Sequence, residues 1–104
     1  ENETVLFALG TNFLYQKKYR AAETVFRKLI QVNPNHIAAF NNLAETLNQR
    51  GCHAEAYEII EVAARRAETL HSPLHEAVLQ TRREIARHLQ QPGPALPTKC
   101  ASQP

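Results

Sequence analysis

Apolar residues recur along this chain at helical spacing, in runs separated by short polar or proline-containing breaks. Leu6, Leu9 and Phe13 are three and four apart and share one helical face. Gly10, beside Leu9, has no side chain, so a neighbouring helix can approach closely there. The break Gln16-Lys17-Lys18 follows, and then a second stripe of Ala22, Phe26, Leu29 and Ile30 that ends at Pro34. The pattern predicts a first helix from near Thr4 to Gln16, capped by Asn2 or Thr4, and a second from Tyr19 or Arg20 to Val32. A third helix is expected to start behind Asn35 as N-cap, carry Phe40, Leu43, Ala44 and Leu47 inward, and stop at Gly51. A fourth is expected over Ala54 to Leu70, with Ala56, Ile59, Ile60 and Ala63 inward and Tyr57 and Val62 partly buried. Ser72-Pro73 is expected to open a fifth, striped by Leu74, Val78, Thr81, Ile85 and Leu89, with Glu76, Gln80, Arg83, Glu84 and Arg87 on its polar face. From Pro92 the run PGPALPTKCASQP has no apolar period and is expected to be a flexible tail or linker.

The first two helical runs return 34 residues later. Leu6 maps to Phe40, Leu9 to Leu43, Gly10 to Ala44, Phe13 to Leu47, Ala22 to Ala56, Phe26 to Ile60 and Leu29 to Ala63. With Pro34, this spacing resembles the tetratricopeptide repeat, where a large residue, Leu-Gly and an aromatic precede Ala, an aromatic and Pro. The usual tryptophan position holds Leu6 and Phe40, and Glu68 stands where the first repeat has Pro34. The resemblance implies an all-α fold. Repeats over about 3–36 and 37–70, and a capping helix over about 73–90, would form one domain over 1–91, with the tail at 92–104. A terminal helix with a polar outer face is what a stacked array needs to end in water. Fully burying each large apolar residue contributes roughly 1.5–3 kcal/mol, against a large chain-entropy cost.

Composition narrows the classes of function. The 104 residues suit one modest core, with 43% apolar and 21% charged residues. The net charge of +2 gives no nucleic-acid footprint, and no apolar run approaches the ~20 residues that span a bilayer. The chain starts at Glu1 and has no methionine, which points to a processed product or a fragment of a larger protein. Cys52 in a turn and Cys100 in the tail are expected to be two ordinary thiols, since a disulfide would require the tail to fold back. The compartment, bacterial cytoplasm or cell envelope, is left open.

Nothing in the chain suggests catalysis within it. Gly10, Gly51 and Gly93 are isolated and form no phosphate loop. His71 and His75 lack a third ligand, so no metal or cofactor is expected. Cys52 and His53 are chain neighbours, which does not make them a nucleophile–base pair. Arg20, Arg27 and Lys28 are expected on a solvated outer face.

The family resemblance implies that the first helix of each pair lines a concave surface. That makes Phe7, Thr11, Leu14 and Tyr15, then Asn41, Asn42, Glu45, Asn48 and Gln49, then His75, Leu79, Arg82 and Arg83 candidates for binding a peptide or protein segment. Asn and Gln offer donors and an acceptor to an extended backbone, with apolar contact from Phe7, Leu14 and Tyr15. The competing reading leaves Asn41 and Asn48 solvated and Phe7 and Tyr15 packed locally. One subset of the family grips the terminal carboxylate of chaperone tails through lysines, asparagines and an arginine. Asn42 matches one asparagine, but Phe7 and Thr11 replace a lysine and an asparagine, and Ser72 and Glu76 stand where a lysine and an arginine are needed. A carboxylate clamp is therefore not expected.

A finer resemblance rests on Phe40-Asn41-Asn42-Leu43-Ala44, His71-Ser72-Pro73-Leu74 and Thr81-Arg82-Arg83-Glu84-Ile85. These runs are similar to the C-terminal repeat domain of bacterial papain-like, bacteriocin-processing cysteine peptidases. That would imply a non-catalytic accessory domain. A homodimerisation unit without a groove ligand is the third reading, and monomer and dimer stay equally open.

Overall fold

The structure, a computed structural model, describes residues 2–90 and 100. Helices α1 (Glu3–Tyr15), α2 (Tyr19–Val32), α3 (Ile37–Gln49), α4 (His53–Thr69) and α5 (His75–Gln90) pack in sequence into an all-α domain. Each helix packs on the next; in addition α1 touches α3, and α3 touches α5. Helix α2 thus bridges α1 and α3, and α4 bridges α3 and α5.

Helix starts are set by local acceptors. Asn2 Oδ1 accepts from the Val5 amide at 3.1 Å, filling one orphan donor of α1. Asn35 was the expected cap of α3, but the cap is His36, whose Nδ1 accepts from the Ala39 amide. Asn35 instead donates its own amide to Asn33 Oδ1, which tightens the preceding turn. Helix α5 begins at His75, later than Ser72-Pro73 predicted. Ser72 Oγ accepts from the Leu74 amide and closes a side-chain turn in place of a helix cap.

Three helix ends share one geometry. After α1, Lys17 N donates to Leu14 O and Lys18 N to Phe13 O; Gly51 and Cys52 do the same after α3, and His71 and Ser72 after α4. These are Schellman closures, which place the residue past the cap in the left-handed region. Gly51 (φ 90°) meets that demand without a Cβ penalty, as its sequence position predicted. Lys17 (φ 62°) and His71 (φ 52°) do so with a side chain.

Phe26, Leu29, Leu43, Leu47, Ile60, Val78 and Ile85 are fully buried at the centre. Small residues on α4, namely Ala56, Ala63, Ala64 and Ala67, let it lie close against its neighbours. Positions 34 apart share their burial in the second helix of each pair, Ala22 with Ala56 and Phe26 with Ile60. They diverge in the first: Leu43 is inaccessible, whereas Leu9, expected in the core, is 41% exposed. Leu43 is enclosed because α3 packs against α1, α2, α4 and α5; α1 is an edge helix and, of the other four helices, touches only α2 and α3. Leu6 and Phe13 are half-buried for the same reason. Helix α5 buries only the middle of its predicted stripe, Val78, Thr81 and Ile85, while Leu74 and Leu89 stay exposed. Leu74 precedes the first turn of the helix, and Leu89 lies in its last.

On the outer face of α2, Arg20 and Lys28 are exposed as expected, whereas Arg27 is half-buried. Glu23 pairs with both Arg27 and Arg50, and Arg27 also pairs with Glu55. This chain of charges ties α2 to the end of α3 and the start of α4. Burial alone would lower the Arg27 pKa, but its bonds to Glu23 and Glu55 outweigh it and hold the guanidinium above its ordinary value.

Cys52 and Cys100 form a disulfide, with Cα atoms 4.9 Å apart. This corrects the expectation of two ordinary thiols. Cys52 sits directly after the left-handed Gly51, where its side chain is 2% exposed against the core, and Cys100 reaches it there. Apart from Cys100, the expected tail over 92–104 lies outside the described residues.

Candidate peptide-binding cleft

An open cleft of about 540 Å³ runs between α1 and α3 and reaches the α1–α2 turn. Thr11, Leu14 and Tyr15 line it from α1, Lys17 and Tyr19 from the turn and α2, and Asn42, Glu45 and Gln49 from α3. These α3 positions are three and four apart, so one helical face supplies all three. Asn42 Nδ2 lies 3.5 Å from Thr11 Oγ1 and spans the floor between the helices. Thr46, one turn on, is fully buried and donates its hydroxyl to Asn42 O, so it braces the backbone under this face.

The predicted binding residues divide into two groups. Thr11, Tyr15, Asn42, Glu45 and Gln49 meet in the cleft, with Leu14 beside them. Phe7, Asn41, Asn48 and Arg83 lie elsewhere. Phe7 packs locally, its ring 6.2 Å from Phe26 and stacked 5.3 Å from His36. Arg83 bonds to Gln80 and Glu76 on its own helix. Asn41 Oδ1 is buried and has no hydrogen-bond donor among the described residues. Asn48 is buried and its Oδ1 is engaged twice, 2.6 Å from His53 Nδ1 and 3.2 Å from His88 Nδ1. The two imidazoles stack at 4.6 Å, so Asn48 joins α3 to α4 and α5 rather than facing a ligand.

Lys17 and Tyr19 were not among the predicted site residues. Lys17 lies in the three-residue polar break, on whose direction helical periodicity is silent; Tyr19 opens α2, the second helix of its pair, and the family resemblance assigned the binding surface to the first helices only.

Glu45 is half-buried in the cleft and carries the least compensated charge there. Burial, and then the like charge of Glu84 on α5, raise its pKa above the ordinary carboxylate value. No donor or cation among the described residues bonds it. Lys17 shares the cleft but sits exposed at the turn.

Cys52 Sγ, Cys100 Sγ and a Glu55 oxygen lie within 4.8 Å of one another, the one grouping of metal-ligand type among the described residues. In the disulfide both sulfurs are bonded to each other and neither is a thiolate. No helix among the described residues is long and apolar enough to cross a membrane.

No protein-family model and no curated protein matches the chain. Its kinship with tetratricopeptide repeats therefore stays a resemblance of pattern.

Proposed function

We propose that this domain is a protein-interaction module of the tetratricopeptide-repeat type that holds an extended peptide segment in the α1–α3 cleft. The single observation that carries the reading is the cleft itself. Helices α1 and α3 lie side by side there and present two amides, a hydroxyl and the Tyr15 ring to one open trough, with a second tyrosine, Tyr19, added from the start of α2. Asn42 and Gln49 suit the alternating donors and acceptors of a peptide backbone. Tyr15, 79% exposed, offers a large ring at low entropy cost. The domain performs no chemistry in this reading and needs no cofactor.

The test is selection from a random peptide library displayed on phage. The wild-type domain is expected to enrich a consensus, and Tyr15→Ala combined with Asn42→Ala to lose it with a nearly unchanged circular-dichroism melt. Failure to enrich any peptide, or enrichment that survives the double substitution, removes the cleft from consideration.

A second reading, self-association, has its own observation. Val5 and Leu9, one turn apart on the edge helix α1, are 59% and 41% exposed. Light scattering behind size-exclusion chromatography separates the two: a dimer that Leu9→Lys converts to monomer supports pairing through α1.

A further inference from the structure

Resting on that reading, we infer that the bound segment is basic: a lysine or arginine of the peptide sets its charged head against Glu45 and its aliphatic stem along the Tyr15 side of the cleft.

The cleft is lined by one carboxylate, Glu45, and one ammonium, Lys17. Their charges cancel on paper, but their surroundings do not. Lys17 is exposed at the turn, where water and salt screen it within about a Debye length. Glu45 is half-buried, and a charge there acts through a medium of lower effective dielectric constant. The field felt by a ligand inside the trough is therefore dominated by Glu45. Glu84, exposed on α5, adds to the same sign.

Partner-less carboxylates are common on a protein surface, where water solvates them. Glu45 is different because it is partly withdrawn from water, faces a like charge, and has no hydrogen-bond donor among the described residues. Elsewhere in this fold the withdrawn carboxylate is neutralised: Glu23, similarly half-buried, is bound by both Arg27 and Arg50. Glu45 thus costs the folded chain stability that a glutamine would not, which is the pattern of a group held for a partner. Its flanks fit a cation with an apolar stem. Tyr15 and Tyr19 supply ring faces, which attract ammonium and guanidinium groups, and the carbonyl oxygens of Asn42 and Gln49 accept the remaining N–H donors. An acidic segment would instead bring a like charge against Glu45.

The peptide selection described above decides the matter when run on three baits: wild type, Glu45→Gln and Glu45→Lys. Wild type is expected to enrich peptides with Lys or Arg at one fixed position. The Glu45→Gln bait should lose that enrichment while retaining the rest of the consensus. The Glu45→Lys bait should favour Asp or Glu at the same position, a reversal that a merely structural role would not produce. Fluorescence anisotropy with the wild-type consensus peptide is expected to show about a tenfold rise in Kd for Glu45→Gln, shrinking as salt is raised. A wild-type consensus free of basic residues, or one unchanged by Glu45→Gln, overturns this inference and leaves peptide binding standing. Failure of wild type to enrich any peptide overturns both.

Discussion

A Cβ placed on Gly10 would lie 2.6 Å from Cε1 of Phe26 and 2.9 Å from Cδ1 and Cζ. The ring of Phe26 occupies the space that a side chain would fill, and this is what allows α1 to close on α2. Gly10→Ala gains about 1 kcal/mol of helix propensity, but must push a fully buried ring into a packed core. The net expectation is a loss of about 1–2 kcal/mol in chemical denaturation. Phe26→Ala should cost about 3–5 kcal/mol. Combined with Phe26→Leu, Gly10→Ala should cost less than the two separate effects added, because the smaller side chain vacates the contested space. Strict additivity would show that the two residues do not compete.

Lys17 closes α1 in a left-handed conformation that Gly51 adopts 34 positions later without strain. Lys17→Gly is expected to stabilise the domain by about 1 kcal/mol, since removing the Cβ relieves more strain than the added chain entropy costs. Gly51→Ala should destabilise by about the same amount. Urea melts of both variants check the pair, and opposite signs are the expected result.

The disulfide closes a loop with a sequence separation of 48. Under oxidising conditions the denatured chain should show no thiol reactive with Ellman's reagent until a dithiol reductant is added. Reduction, or the double replacement Cys52→Ser with Cys100→Ser, should lower stability by up to about 4 kcal/mol, the chain-entropy value for a loop of this size. A melt that is indifferent to reductant would count against the crosslink.

Glu45 gives a pH signature in stability. Its folded pKa is raised, so the native state favours the protonated form more than the unfolded chain does. The penalty for ionising it is complete above the folded pKa and vanishes below the unfolded value near 4.5. Glu45→Gln should therefore raise Tm at neutral pH, and the gain should disappear as pH falls through the carboxylate range. A gain that persists at pH values well below 4.5 would assign the effect to packing.

The sequence by itself determined the five helices α1–α5 within residues 2–90, because each carries a stripe with the 3.6-residue period and breaks that the backbone cannot ignore. Pro34 and Gly51 marked two of those boundaries through their own covalent geometry. It also determined the centre of the core: Phe26, Leu43, Leu47 and Ile60 are buried as their spacing requires. Part of the candidate cleft was legible too, though not from periodicity alone: Thr11, Tyr15, Asn42, Glu45 and Gln49 lie off the core stripes of α1 and α3, and it was the resemblance to tetratricopeptide repeats that singled out those two helices.

What only the tertiary structure decided depends on neighbours that no local pattern contains. Leu9 and Leu43 occupy matched positions, yet one is exposed and the other inaccessible because α1 is an edge and α3 an interior helix. Asn48 resembles Asn42 on the helix surface, but the two imidazoles brought by α4 and α5 consume it. Cys52 and Cys100 meet across 48 positions, and Lys17 enters the cleft from a turn. Periodicity records which way a side chain leaves its own helix; what it then encounters is set by chain segments distant in sequence, and that encounter determines burial, pairing and charge.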